Sequence, residues 1–164
     1  MRRDRREQEF SEYADAHALR LRRTAYLIVR DWHTAEDVVQ NAPVKLYVAW
    51  PRVREDGVDA YARRIVVNEA LTLLRRRKPE TITDRPPETA VAAAESPVDF
   101  GAALALLPAQ QRAIVALRYL DDLSVADVAH TLGVADGTVK SQCSCALATL
   151  RRVLPRLTLT EENL

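Results

Sequence analysis

Ser124-Val-Ala-Asp-Val-Ala-His-Thr-Leu-Gly-Val-Ala-Asp-Gly-Thr-Val-Lys-Ser141 decides the fold. It reads as two short helices joined by a tight turn at Gly133. Small Ala129 lets the helices approach closely. Gly133 stands where the chain must reverse, and a left-handed backbone is cheap there only for Gly. Val139 returns an apolar side chain to the joint. The second helix starts near Asp136 and shows Asp136, Thr138, Lys140, Ser141 and Ser144, short polar or basic groups suited to a DNA groove. The pattern is that of a helix-turn-helix, and its second helix is expected to run to Val153.

Upstream, Phe100 to Leu106 reads as one short helix. Ala109 to Tyr119 reads as the next, with Pro108 as its first-turn residue. Further back, Phe10, Tyr13, Ala14, His17, Leu21, Ala25 and Ile28 recur at helical spacing, predicting a helix over Glu9 to Arg30. Asp31 to Thr34 is a break in which Thr34 can cap the next helix. That helix runs from Ala35 towards Trp50, and Pro43 inside it predicts a kink or a split. Pro51 to Asp59 reads as a polar loop. Asp59 can cap a third helix, Ala60 to Arg77, whose apolar face is Tyr61, Ile65, Val66, Leu71 and Leu74. It ends in cations and Pro79, the usual stop.

Charge is unevenly laid out under a net of +1. Residues 1–78 hold 17 Lys plus Arg against 12 Asp plus Glu, residues 79–99 hold one against five, and residues 100–164 hold six of each. This profile does not suit binding of DNA by bulk charge; it suits a protein that relies on another machine. Four prolines and several acids between Pro79 and Pro97, with little large apolar content, read as an extended or disordered linker. The fold class is therefore all-α: two small helical domains, residues 1–78 and 99–164, joined by an acidic, proline-rich linker, 79–98.

These residues carry a resemblance. Arg22 to Leu27, Asp31 to Gln40, Lys45 to Trp50, Ala60 to Asn68, Leu106 to Ile114 and Leu132 to Ser141, in that order and with the linker between them, resemble the extracytoplasmic-function group of bacterial RNA polymerase sigma factors. The likeness covers nearly the whole chain. It implies a promoter-specificity subunit that binds core RNA polymerase and directs promoter recognition and transcription initiation. It further implies that Glu36, Asp37 and Gln40 face the β′ clamp of the polymerase, with Leu46 near the same surface. On residues alone, the same acids are a solvated first turn favoured by the helix dipole.

The third helix, with the loop before it, is implied to recognise and open the −10 promoter element. Its candidate DNA-binding residues are Arg52, Arg63, Arg64, Asn68, Arg75 and Arg76. Spacing alone places Arg64, Asn68 and Arg75 on one face, where cations can hold phosphates and Asn can bond base edges. It also fits a helix end charged for its dipole. Asp136, Thr138, Lys140, Ser141 and Ser144 are implied to face the −35 element. The linker is implied to thread the RNA exit path. The partners so implied are core polymerase, through its β′ clamp and β flap, promoter DNA, and by family habit an anti-sigma factor, with the chain a monomer in the holoenzyme.

Two departures stand out. Cys145 occupies a place where the family usually has Arg, and Pro43 lies in the docking helix. Cys143 and Cys145, two apart on a helix, point to nearly opposite faces, so a disulfide between them is excluded and two reduced cytosolic thiols are expected. Trp32, Tyr26 and Tyr47 read as packing residues; Trp50 divides between packing and stacking on bases. No apolar run approaches a membrane span. His17, His33 and His130 have no companions at metal or triad spacing, and no phosphate-binding loop is present, so no enzyme, metal or cofactor is expected. An autonomous operator-binding regulator and an interaction protein that no longer recognises promoters remain as alternatives.

Overall fold

The computed structural model describes residues 2–53, 57–77 and 100–154, and among these all regular structure is helical. The chain divides into two compact units, Met1–Thr72 and Leu73–Leu164. The division falls inside the third helix, ahead of residue 78, where the sequence suggests it. The stretch 79–98, read as an acidic linker, lies outside the described residues.

The first unit is built on α1 (Arg2–Val29), α2 (Trp32–Val53) and α3 (Val58–Arg76). α1 begins at Arg2, not at Glu9. Its extra turns carry Arg3–Glu7 and Arg5–Glu9 ion pairs at 3.2 and 3.0 Å. Each such exposed pair contributes only about 0.3–0.5 kcal/mol, too little to hold the extension alone. Arg6 does more. Its Nη2 donates to the Tyr47 carbonyl at 2.8 Å, and its guanidinium lies 4.6 Å from the Tyr47 ring centre. Pro51 stands four residues beyond Tyr47 and has no N–H to offer that carbonyl. Arg6 supplies the missing donor from the neighbouring helix.

α2 is one unbroken helix from Trp32 to Val53, so the split expected at Pro43 does not occur. An interior Pro costs about 3 kcal/mol. On both sides of it, however, Val38, Ala42, Leu46, Ala49 and Trp50 are buried. Burying each large apolar side chain returns about 1.5–3 kcal/mol, so the packed face outweighs the lost bond. The cap is also different from the one expected. The Asp31 carboxylate accepts from the Thr34 amide at 2.8 Å and from the Thr34 hydroxyl, and Thr34 itself lies buried inside the helix. Asx capping of this kind satisfies an orphan first-turn amide.

α2 also takes in Pro51 to Val53, which the sequence pattern assigns to a loop. Residues 54–56 lie outside the described residues. Gly57 has φ +85, a backbone conformation natural only to Gly, and its carbonyl accepts from Tyr61 N at 2.9 Å to open α3. Asp59 is therefore in the first turn, not the cap. The buried face of α3 is Ala62, Val66, Val67, Ala70 and Leu71. Tyr61, Ile65 and Leu74 are only half-buried, so the apolar stripe is rotated from the expected one. Trp50 is 3% exposed and packs edge-on to Phe10, with ring centres 5.4 Å apart, which removes it from the residues able to stack on bases.

The second unit holds α4 (Phe100–Ala105), α5 (Ala109–Val115), α6 (Val125–Leu132) and α7 (Asp136–Val153). Pro108 stands at the N-cap of α5, one residue before its first turn. α5 widens into a π-helical turn over Ala116–Leu120. Arg118 in that turn is nearly buried and donates to the Leu123 carbonyl, tying the turn to the loop that enters α6. Leu104, Ile114, Leu117, Val128, Val139, Leu147 and Leu150 form the core.

Candidate nucleic-acid interface

Ser124 caps α6. Its hydroxyl oxygen accepts from the Asp127 amide at 3.1 Å, which satisfies one first-turn amide, and the hydroxyl donates to the Asp127 carboxylate at 2.8 Å. Gly133 ends α6 at φ 67, ψ 37, and Val134 N reaches back to the Ala129 carbonyl at 3.0 Å. This is the left-handed reversal read from the sequence. Ala129 and Val139 are both buried, at 4% and 0%, where the two helices meet.

Burial then sorts α7 by face. Val139, Cys143, Ala146, Leu147 and Leu150 are buried. Asp136, Lys140, Ser141, Ser144 and Cys145 are exposed and Thr138 is half-exposed. All five residues expected at the −35 contact therefore share the accessible side. α7 has no side-chain cap at Ala135, whose carbonyl accepts from the Thr138 and Val139 amides at 3.0 and 3.2 Å. Ser141 donates to the Thr138 carbonyl at 3.1 Å, which orients both near that end. Arg151 and Arg152 extend the exposed side by two further cations that the motif pattern does not include. Their helical offset from Ser144 and Ala148 is the signal that finds them. The two cysteines are free, Cys143 buried and Cys145 exposed. The Tyr119 hydroxyl lies 3.8 Å from Cys143 Sγ. Burial, and then the thiol beside it, push the Tyr119 phenol up to about 12.

On α3, Arg64, Arg75 and Arg76 are exposed, while Arg63 and Asn68 are half-buried and engaged. Arg52 is exposed in the last turn of α2, not in a loop. On α2, Glu36, Asp37 and Gln40 are exposed, and Glu36 pairs with Arg22 of α1 at 3.6 Å. Leu46 is 4% exposed. It sits with Glu36, Gln40, Pro43 and Phe10 along a cleft of about 240 Å³, as a floor residue and not as part of the exposed surface.

Two features of this side are not apparent from the sequence. Val44 and Val48 are each 69% exposed, four residues apart beside Gln40 and Asn41. Together they form a small apolar strip on the exposed side of α2. Trp32, read as a packing residue, is 51% exposed, with one face stacked on Tyr26 at 4.1 Å and the other open. Among the described residues no helix is long and apolar enough to cross a membrane, and no three metal-ligating side chains gather.

The chain is similar to known proteins. Residues 13–80 match the family model for sigma-70 region 2, and residues 98–150 match that for sigma-70 region 4. The chain is 35% identical over 152 residues to the RNA polymerase sigma-E factor of Streptomyces coelicolor, covering 89% of this chain and 86% of that one. It is 36% identical over 150 residues to the ECF RNA polymerase sigma factor SigM of Mycobacterium tuberculosis, covering 88% and 76%. Among solved structures, the sigma factor RpoE of Bartonella quintana, crystallised in complex with the anti-sigma factor NepR, superposes with a TM-score of 0.67 at 26% identity, over 92% of this chain and 96% of that one. Two sigma regions in order, on a chain whose described regular structure is helical and whose helix-turn-helix holds a left-handed glycine, place the protein in its family: it belongs to the extracytoplasmic-function sigma factors, which direct promoter recognition and transcription initiation.

Proposed function

We propose that the outward side of α2 docks on the β′ clamp of core polymerase, that α3 reads and opens the −10 element, and that α7 reads the −35 element. The observation that supports this reading best is the sorting of α7, whose polar side is open from Asp136 to Ser144 while its other side is sealed in the core. On α2, Asp37, Gln40 and Asn41 offer polar contacts, and Val44 and Val48 an apolar strip between them and the helix end. On α3, Arg64, Arg75 and Arg76 hold phosphates while Asn68 meets a base edge. On α7, Lys140 holds a phosphate and Thr138, Ser141 and Ser144 meet base edges. The role is non-catalytic, needs no cofactor, and places the chain in the cytoplasm with the polymerase.

An anti-sigma factor is a further proposed partner. The Bartonella quintana protein was crystallised with one, and this chain shares its fold along nearly the whole length.

A gel-shift assay tests the reading. The chain alone leaves DNA from upstream of its own gene unshifted at physiological salt, and the chain with core polymerase shifts it. Tight, specific binding by the chain alone would overturn the assignment in favour of an operator-binding regulator.

A further inference from the structure

We propose that Tyr13 and Asp59 are positioning residues, which lock the first turn of α3 to α1 and so set the rotation of the −10-reading side of α3 for strand opening. The inference rests on the function proposed above. The Tyr13 hydroxyl donates to Asp59 Oδ1 at 2.7 Å. Arg20 Nη2 pairs with the same oxygen at 3.2 Å. His17 stacks on the Tyr13 ring at 4.2 Å, and its Nδ1–H donates to the Tyr13 carbonyl at 2.8 Å. Its Nε2 comes within 3.6 Å of Asp59. Three residues of α1, one turn apart, thus converge on one carboxylate of α3.

The carboxylate stays charged in this setting. Partial burial works to raise its pKa, but the Tyr13 hydrogen bond and the Arg20 and His17 charges prevail and hold it below the ordinary carboxylate value. The partner phenol is pushed up in turn, first by burial and then by Asp59.

The placement gives the lock a purpose beyond holding two helices together. Asp59 is the second residue of α3, two residues after the Gly57 pivot, whose backbone takes a conformation that residues with a side chain rarely adopt. The buried face of α3 begins only at Ala62, so other contacts must fix the helix's first residues. A helix turns about 100° per residue, so Arg64 stands about 140° round from Asp59, and Asn68 about 180°. Pinning Asp59 to α1 therefore fixes where both of them point. A small error in that rotation moves a base-reading group by ångströms, which is enough to cost heavily in a step that depends on orientation.

The test uses the full chain with core polymerase, comparing Tyr13→Phe and Asp59→Asn with the native protein. Opening of a duplex promoter is followed with a fluorescent base in the −10 element, beside a template already unpaired there. Both variants are expected to open the duplex roughly tenfold more slowly, the low end of what the loss of one hydrogen bond to a charged group costs, while binding core polymerase and the unpaired template as the native chain does. The double variant is expected to be no slower than either single one. Native opening rates in both variants, or an equal loss on both templates, would overturn the proposal. A second measurement does not depend on promoter activity. In the free chain, amides of Tyr61 to Arg64 are expected to exchange hydrogen several-fold faster in Tyr13→Phe, and unchanged exchange there overturns the lock even if the native chain opens no promoter.

Discussion

Single side chains settle several questions that the overall pattern leaves open. Asp59 is one. Its pKa is lowered, so its contribution to stability is complete above the ordinary carboxylate value of 3.8 and is lost as pH falls through the lower folded value. The melting temperature of Asp59→Asn is expected to lie below that of the native chain at pH 6–7, with the gap closing below about pH 3.8. A gap that persists unchanged at pH 3 would show that the charge contributes nothing. Cys145 is another. It is exposed on the side of α7 that carries Lys140 and Ser144. Cys145→Arg is expected to raise transcription from a cognate promoter and to steepen the salt dependence of promoter binding by about one phosphate contact. An unchanged slope would place this position off the DNA. The partners of Asp59 were not legible in the sequence, because they sit on a helix that meets α3 only in the fold. The opposite facing of Cys143 and Cys145 was legible, because two-residue spacing on one helix dictates it.

Among the elements, the helix-turn-helix was the most legible, because its determinants are local. Ser124 caps α6, Gly133 supplies the left-handed backbone that ends it, and Val128, Val139, Cys143 and Leu147 face inward at helical spacing. α1 and α2 were less legible, because a distant contact decides them. Nothing near Pro51 announces that Arg6 will supply the donor that proline lacks, so both the early start of α1 and the continuity of α2 escape a local pattern. That account predicts a specific coupling. Arg6→Ala is expected to destabilise the chain by about 1–3 kcal/mol, since a half-buried carbonyl loses its partner. In a Pro51→Ala background, where the helix supplies its own N–H, the same change is expected to cost much less. Denaturant unfolding of the four proteins measures the difference, and equal costs in both backgrounds would refute the link.

For the whole molecule, the proposal separates a polymerase-facing side from DNA-facing ones. Exposed Val44 and Val48 are not needed by the core of the first unit. Val44→Asp is therefore expected to keep stability within about 0.5 kcal/mol of the native value while sharply reducing co-elution with core polymerase, as Asp37→Ala does more mildly. A loss of stability with full co-elution would reverse that assignment. Composition made the two-domain plan legible, through the basic front, the acidic middle and the neutral back, and the ordered motifs made the family legible. The apolar strip of α2 was hidden, because at the level of pattern an exposed Val reads like any core Val. The most direct test of the central claim is run-off transcription on DNA from upstream of the gene, with core polymerase, with and without the chain. The account predicts one discrete transcript that requires both proteins and that Lys140→Ala and Arg64→Ala each weaken. No transcript from any such DNA, with the chain firmly bound to core polymerase, would contradict it.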